Sequence, residues 1–277
     1  MPRPDALRHR GLLAGTALFA LFAGASLAAP WLAPHDPLGV AAGAGATLER
    51  PGAAHPFGTD ALGRDLLSRV LWGGRVSLAV GIGVEALVAL FGCAVGLAAG
   101  WYGGAVDALL MRVTDVVMAF PSLVLAIGLI AVFERPGLDK VVLVLVALGW
   151  TTIARVVRGA VLSLRTREHV QAARALGASN LAIMTRHLLP NALGPLLVAA
   201  TLGVGGNMVA EAGLSFLGLG AQSPTISWGA LLADGQSFLA SAPWVAVFPG
   251  VALLLAVLGV NLLGDGLRDV LDPRFRA

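Results

Sequence analysis

Trp244-Val-Ala-Val-Phe-Pro-Gly-Val-Ala-Leu-Leu-Leu-Ala-Val-Leu-Gly-Val-Asn-Leu-Leu263 contains no charged residue. A helix needs roughly 20 predominantly apolar residues to cross the hydrocarbon core of a bilayer. This run meets that length, and its first polar residue of note is Asn261. Inside hydrocarbon the backbone must satisfy its own hydrogen bonds, so such a run is read as a helix. The whole chain supports that reading. Of its 277 residues, 57% are hydrophobic and 13% charged, and the mean hydropathy is +0.83. A soluble domain is about 45–50% apolar and about 25% charged. Disorder, collagen-like repeats and a disulfide scaffold are excluded by the same composition. The single cysteine, Cys93, lies in an apolar run and reads as a buried, inert thiol.

Five further spans are expected. The first runs from Gly11 to Leu32 behind Arg3, Arg8, His9 and Arg10. Its rival reading is a signal peptide cleaved near Ser26-Leu27-Ala28, but a signal core runs only about 7–15 residues. Residues 33–74, with Pro34, Pro37, Pro51 and Pro56 and nearly balanced charges, read as a long extracytoplasmic loop. Then come Arg75–Ala99 with Glu85, Val106–Phe133 with Asp107, Arg112 and Asp115, Lys140–Val157, and Leu193–Leu219 with Asn207 and Glu211. Asp265 follows the last span. Arg112 and Asp115, three apart, are placed to pair on one helix face.

The basic residues orient the bundle. All but Lys140 of the 19 are arginine. Arg155 to Arg186 holds six arginines against one carboxylate, Glu168, and the chain closes on Arg268, Arg274 and Arg276. Positive charge collects on cytoplasmic loops, which places both termini and residues 160–190 in the cytoplasm. It does not mark nucleic-acid binding. Gly92, Gly96 and Gly100 share a helix face and permit close helix contact, read as packing within the bundle.

No chemistry of an enzyme is legible. There is no GxxxxGK[ST] phosphate loop, HExxH or CxxC. Gly81-Ile-Gly83 lies inside a span and carries no nucleotide signal. Gly213-Leu-Ser215-Phe-Leu-Gly218 misses a nucleophile elbow by one residue. His9, His35, His55, His169 and His187 show no metal-ligand spacing in sequence.

One loop stands out. Glu168 to Leu176 contains good helix formers, with Val170, Ala173 and Leu176 on one expected face. Gly177 can end that helix in a left-handed conformation. Ser179 or Asn180 can cap a second helix, and Pro190 falls near a first helical turn. The result is a short helix, a tight bend and a second helix feeding the membrane. It reads equally as a force-transmitting loop or as a plain solvated cytoplasmic loop or interfacial helix lying on membrane lipid.

These residues resemble a known motif. Gln171-Ala172-Ala173-x3-Gly177-x9-His187-x-Leu189-Pro190 is similar to the EAA loop of ABC importer permeases. It departs at Gln171, where the family has Glu, and at His187, where it has Ile. The stretch from His55 through Gly58, Asp60, Gly63, Arg64, Asp65 and Ser68 to Arg69 resembles the dipeptide/oligopeptide/nickel permeases. So do Arg186-His187-Leu-Leu-Pro190-Asn191, Glu211 to Gly220, Ser227-Trp228-Gly229 and Leu271-Asp272-Pro273-Arg274. Together they indicate the second, C-type, member of a permease pair.

The resemblance implies an all-α membrane protein with six transmembrane helices, the type I ABC importer permease fold. Residues 1–74 would form a tail, first helix and outer loop. Residues 75–265 would form the permease core with its coupling loop at 165–190, and 266–277 a cytoplasmic tail. It implies a heterodimer with a homologous B-type permease, two cytoplasmic ATPases that hold ATP and Mg, and an extracytoplasmic substrate-binding protein. The chain itself would be non-catalytic and would bind no metal. Cargo is expected among dipeptides, oligopeptides, nickel and glutathione.

The rival class is an ion-coupled secondary transporter or channel, resting on the intramembrane ionisable residues. Glu85, Asn207 and Glu211 are the candidate path residues. Glu211 is about 18 residues into its span, roughly 27 Å along the helix and near the outer face. There it would snorkel to water, cap the turn at Gly213, or line the mouth of a path.

Overall fold

The computed structural model describes residues 4–39 and 47–271, with side chains described from Arg10 onward. The motif residues Asp272, Pro273 and Arg274, together with Arg3 and Arg276, lie outside the described residues. The elements are α1 (Pro4–Leu27), α2 (Ala29–Leu32), α3 (Leu66–Tyr102), α4 (Gly104–Met118), α5 (Ser122–Ile130), α6 (Leu138–Leu164), α7 (Glu168–Ala175), α8 (Asn180–Ile183), α9 (Leu189–Phe216), α10 (Trp228–Gly235) and α11 (Trp244–Leu271). Five spans are long and apolar enough to cross a membrane, and a sixth is so if the bent pair α4–α5 counts as one.

Several boundaries differ from the sequence reading: α1 begins at Pro4 and ends at Leu27, short of Leu32, and α6 runs seven residues past Val157 to Leu164. The helix expected from Arg75 starts at Leu66, because Asp65 caps it: its carboxylate accepts the Ser68 backbone N–H at 2.8 Å. The outer loop is correspondingly shorter, and residue 75 lies inside α3. The span expected over Val106–Phe133 is broken into α4 and α5, which meet at 85°. Pro121 stands at the break, and its ring disfavours a helical conformation at Phe120. At the other end α11 runs on to Leu271, so residue 266 also lies within a helix.

Helix α3 is the spine. At about 1.5 Å per residue, its 37 residues reach about 55 Å, and it packs on α6 and α9. The glycine stripe makes the α3–α6 contact. A Cβ on Gly96 would sit 2.6 Å from the Ala154 carbonyl and 2.8 Å from Val157 Cβ, and one on Gly92 would sit 2.6 Å from the Trp150 carbonyl. Small residues at this spacing let two backbones approach, as the sequence reading held. Gly96→Val is therefore expected to separate α3 from α6 and to remove most of the folded, monodisperse protein in detergent. Gly83→Val on the same helix, where a Cβ meets nothing within 4 Å, should be neutral. Equal yields of the two variants on size-exclusion chromatography would refute this account of the seam.

Two apolar clusters fill the bundle. Val84, Val88, Ile130, Val141, Ile153, Val157 and Val161 bind α3, α5 and α6, and the same cluster continues into Val170, Ile183 and Leu188. Leu66, Val70, Met208, Trp228, Leu231 and Ala256 join α3, α9, α10 and α11, with Phe19 and Phe22 of α1 against them. Helix α1 lies along α11.

Candidate functional site: the coupling loop and the polar clusters

Helix α7 follows α6 after a short turn and is held from three sides. Val170 is buried in the core cluster. The Gln171 amide donates to the Arg165 carbonyl at 2.9 Å, and Arg165 in turn donates to the Gly100 carbonyl at 3.1 Å. The Arg174 guanidinium sits 5.0 Å from the centre of the Trp101 ring. Gln171, where the resembling motif has Glu, thus folds back on its own loop. Ala172 is exposed and Ala173 half-buried.

Gly177 has φ +78°. The Ala178 N–H bonds the Ala173 carbonyl at 3.1 Å and the Gly177 N–H bonds the Arg174 carbonyl at 3.0 Å. The longer of these two reaches is that of a Schellman helix end, which needs a left-handed residue at Gly177. Ser179 caps α8 by accepting the Ala182 N–H. From α8 the chain passes through a π-helical turn, Met184–Leu188, into α9. Pro190 sits directly after that turn, and the Asn191 amide takes the His187 carbonyl at 2.6 Å. Leu189 is half-buried behind it, and Leu188 is fully buried.

One expectation about this loop is overturned. Leu176 does not join Val170 and Ala173 on the buried face. It ends α7, so the chain has already left the helical path, and its side chain is 88% exposed. Leu181, on α8, is 67% exposed.

The charged residues of the spans find partners other than those expected. Asp115 pairs with Arg155 of α6 at 2.6 Å, not with Arg112. Asp107 accepts both Nε and Nη2 of Arg158, at 2.5 and 2.6 Å. Arg158 of α6 thus holds Asp107 in a forked bond whose geometry matches the carboxylate, and Arg155 gives Asp115 a single bond.

Glu85 and Asn207, a pairing that the sequence left open, are brought together. The Asn207 amide donates to Glu85 at 2.8 Å, and the other carboxylate oxygen of Glu85 is buried with no partner among the described residues. Gly203 lies against that carboxylate, where a Cβ would overlap it.

Glu211 is elsewhere. It is fully buried, and its oxygens accept Ser77 Oγ at 3.1 Å and Ser215 Oγ at 2.7 Å. Ser77 Oγ also accepts the Trp228 N–H, and Ser215 Oγ the Ala221 N–H. Glu211 therefore neither snorkels nor opens onto a mouth in this structure. It is the centre of a polar stitch between α3, α9 and α10, since burying a carboxylate demands such partners.

A second polar cluster went unread as a unit. Asp60 accepts the Leu62 and Arg64 N–H groups and pairs with Arg64 Nε at 2.7 Å and with buried Arg69. Arg69 also reaches Asp234, at the end of α10, at 3.2 Å. Asp60 and Arg64 are visible as an i,i+4 pair, but Asp234 is distant in sequence and has no local signal. A cleft of about 360 Å³ opens beside Arg64, Arg69, Gln222 and Asp234.

Long apolar helices around a shared core, with a rigid and outward-facing helical loop at one end, define a multi-pass membrane transport subunit. Residues 92–277 match the family described as binding-protein-dependent transport system inner membrane component. The chain is 44% identical over 230 residues to the dipeptide transport system permease protein of Alkalihalophilus pseudofirmus, covering 83% of this chain and 75% of that one. It is 39% identical over 272 residues to the di/tripeptide transport system permease protein of Pseudomonas aeruginosa, covering 97% and 89%. It is 43% identical over 229 residues to the glutathione transport system permease protein of Pectobacterium atrosepticum, covering 83% and 76%. The chain belongs to the family of binding-protein-dependent transport system inner membrane components and is a permease subunit of an ABC importer. The secondary-transporter reading is not supported.

Proposed function

We propose that this subunit imports di- or oligopeptides, forming the translocation path with a homologous permease and taking its energy from two cytoplasmic ATPases that bind ATP and Mg. An extracytoplasmic binding protein delivers the cargo, and both termini and the loop over 165–190 face the cytoplasm. The peptide and glutathione cargoes in the relatives' names support the cargo class. The arginine excess around the loop supports the orientation.

One observation carries the coupling role. The loop is clamped to the end of α3 through Arg174–Trp101 and Arg165–Gly100, yet it holds Leu176 and Leu181 out in solvent. Exposed leucines on a rigid mount suit an apolar groove on a partner protein. When ATP draws the two ATPases together, a groove gripping these leucines displaces α7 as a rigid body. The clamp at Trp101 and the continuous helix from α8 into α9 then pass that movement to the bundle. Glu85 and Asn207 are the polar side chains this reading assigns to the path wall.

Leu176→Asp tests it, because docking would bury an unpaired carboxylate at a cost of several kcal/mol. Cells expressing the complete transporter should take up labelled di- and tripeptides. The variant should reach the membrane normally, fail to retain the ATPases on purification, and lose uptake by at least about tenfold. Full ATPase retention would overturn the docking role of the loop. Absence of peptide uptake in the wild type would overturn the cargo.

A further inference from the structure

The three segments at the far end of α3 from the coupling loop converge on one carboxylate. His35 follows α2, His55 lies in the loop that precedes α3, and Asp65 caps α3 itself. His55 Nδ1 is 2.8 Å from Asp65 Oδ1, and His35 Nδ1 is 3.6 Å from the same oxygen. One ligand atom from each of the three residues lies within 4.8 Å of the other two. The two imidazole rings face each other with centroids 4.7 Å apart. Sequence spacing concealed this group, since ten and more residues separate its members.

We propose that His35, His55 and Asp65 form a site for one divalent transition-metal ion of the zinc class. Two imidazoles and a carboxylate are a zinc ligand set, and a fourth position left to water is the usual arrangement when the protein supplies three. Bonds of about 2.0–2.2 Å set the ligand atoms of a tetrahedral ion roughly 3.3–3.5 Å apart. The observed 2.8 and 3.6 Å separations bracket that value. The ion takes the place of the hydrogen bond between His55 and Asp65, and the pair opens by about half an ångström to meet the bond lengths above.

The surroundings are built to hold this geometry. Asp65 Oδ2 is occupied by both the N–H and the hydroxyl of Ser68, at 2.8 and 2.7 Å, which fixes the carboxylate plane and leaves Oδ1 for the histidines. Ser68 Oγ also accepts the His35 backbone N–H at 3.1 Å, so a single hydroxyl positions two of the three ligand residues. Outer-shell bonds of this kind orient ligands and tune affinity. Asp65 is buried, His55 half-buried and His35 exposed, which gives the ion a protected floor and an open side. The Phe57–Phe248 stack, with centroids 4.0 Å apart, and the Trp244–Thr59 contact seat the His55 loop on α11. An ion here would tie the segment after α2, that loop and the start of α3 into one unit.

Zinc titration of the purified full-length complex, read by competition with a chromogenic chelator and by the visible spectrum of cobalt(II) as a substitute, tests the site. One saturable equivalent per chain is expected, with a four-coordinate cobalt spectrum and no displacement by excess Mg²⁺ or Ca²⁺, which are hard ions that prefer oxygen. His35→Ala and His55→Ala should each weaken zinc by at least about tenfold, and Ser68→Ala by about tenfold through the carboxylate it orients. Asp65→Ala could fail simply by uncapping α3. Asp65→Asn keeps a good cap residue and removes the anionic ligand, so it should fold, pack its loop and lose the zinc equivalent. His169→Ala should retain it. No saturable equivalent in the wild type, or an equivalent that survives the His35→Ala/His55→Ala double variant, would overturn the assignment.

Discussion

Gly177→Val is expected to abolish most coupled uptake while the importer still assembles in the membrane and still hydrolyses ATP. The residue has φ +78° and nothing lies within 4 Å of where its Cβ would be. The effect is therefore one of backbone strain without steric conflict. A β-branched residue held in the left-handed region costs on the order of 1–3 kcal/mol. The chain relieves that strain by leaving the left-handed region, which breaks the Ala178–Ala173 bond and tilts α7 away from α8. Leu176 at the end of α7 is then displaced relative to Leu181 on α8. Gly177→Asn should be much milder, because asparagine visits this conformation. Uptake of labelled peptide and ATPase turnover of the purified complex, measured on the same preparations, decide the matter. Normal uptake in a well-expressed Gly177→Val protein would remove the left-handed hinge from the mechanism, and equal damage from Asn would point to contact with a partner.

A large loss of stability is expected at Asp60. Removing one partner of a buried ion pair leaves the other charge uncompensated and costs about 3–5 kcal/mol. Asp60→Ala does this to Arg69, which is buried and whose Nε already has no partner among the described residues. Asp234, half-exposed at 3.2 Å, is the remaining counter-charge. The same substitution also frees the Leu62 and Arg64 N–H groups, so the turn before α3 loosens. The measured quantity is Tm in detergent. Asp60→Asn should fall between wild type and alanine, since it keeps an acceptor for those N–H groups. Adding Arg69→Met to Asp60→Ala should recover a large part of the loss, because an apolar side chain of similar length needs no counter-charge. A double variant no more stable than Asp60→Ala would show that the cost lies in the turn and not in the buried guanidinium.

The membrane spans were legible because a helix in hydrocarbon satisfies its hydrogen bonds within about four residues of chain. Apolar composition over Trp244–Leu263 is a local property, and it foretold the core of α11. The coupling loop was legible for the same reason. The helix end at Gly177, the cap at Ser179 and the proline at 190 act over one turn or less, and each stands where the residues indicated. Errors arose where a local rule met a distant competitor. Arg112 and Asp115 have the right spacing to pair, but Arg155 offers Asp115 a bond from another helix. Helical periodicity placed Leu176 inward, whereas the bend imposed by Gly177 turned it out. The break at Pro121 was written in the sequence as a proline, yet apolarity on both sides concealed it.

What the sequence alone determined about this protein is its class, its spans, its resemblance to a permease family and the local architecture of the coupling loop. Tertiary structure decided which polar residues meet. Glu211 is one residue type at one depth, and only the arrival of Ser77 from α3 and Trp228 from α10 makes it the buried centre of a polar network. Glu85 acquires Asn207, Arg69 acquires Asp234, and His35 and His55 acquire Asp65 in the same way. These meetings depend on where α3 crosses α9 and α10 and on how the outer loop folds onto the start of α3. A carboxylate's role follows from its neighbours within hydrogen-bond reach, and those neighbours lie up to 165 residues away along the chain, beyond the range of any pattern that acts over a turn of helix.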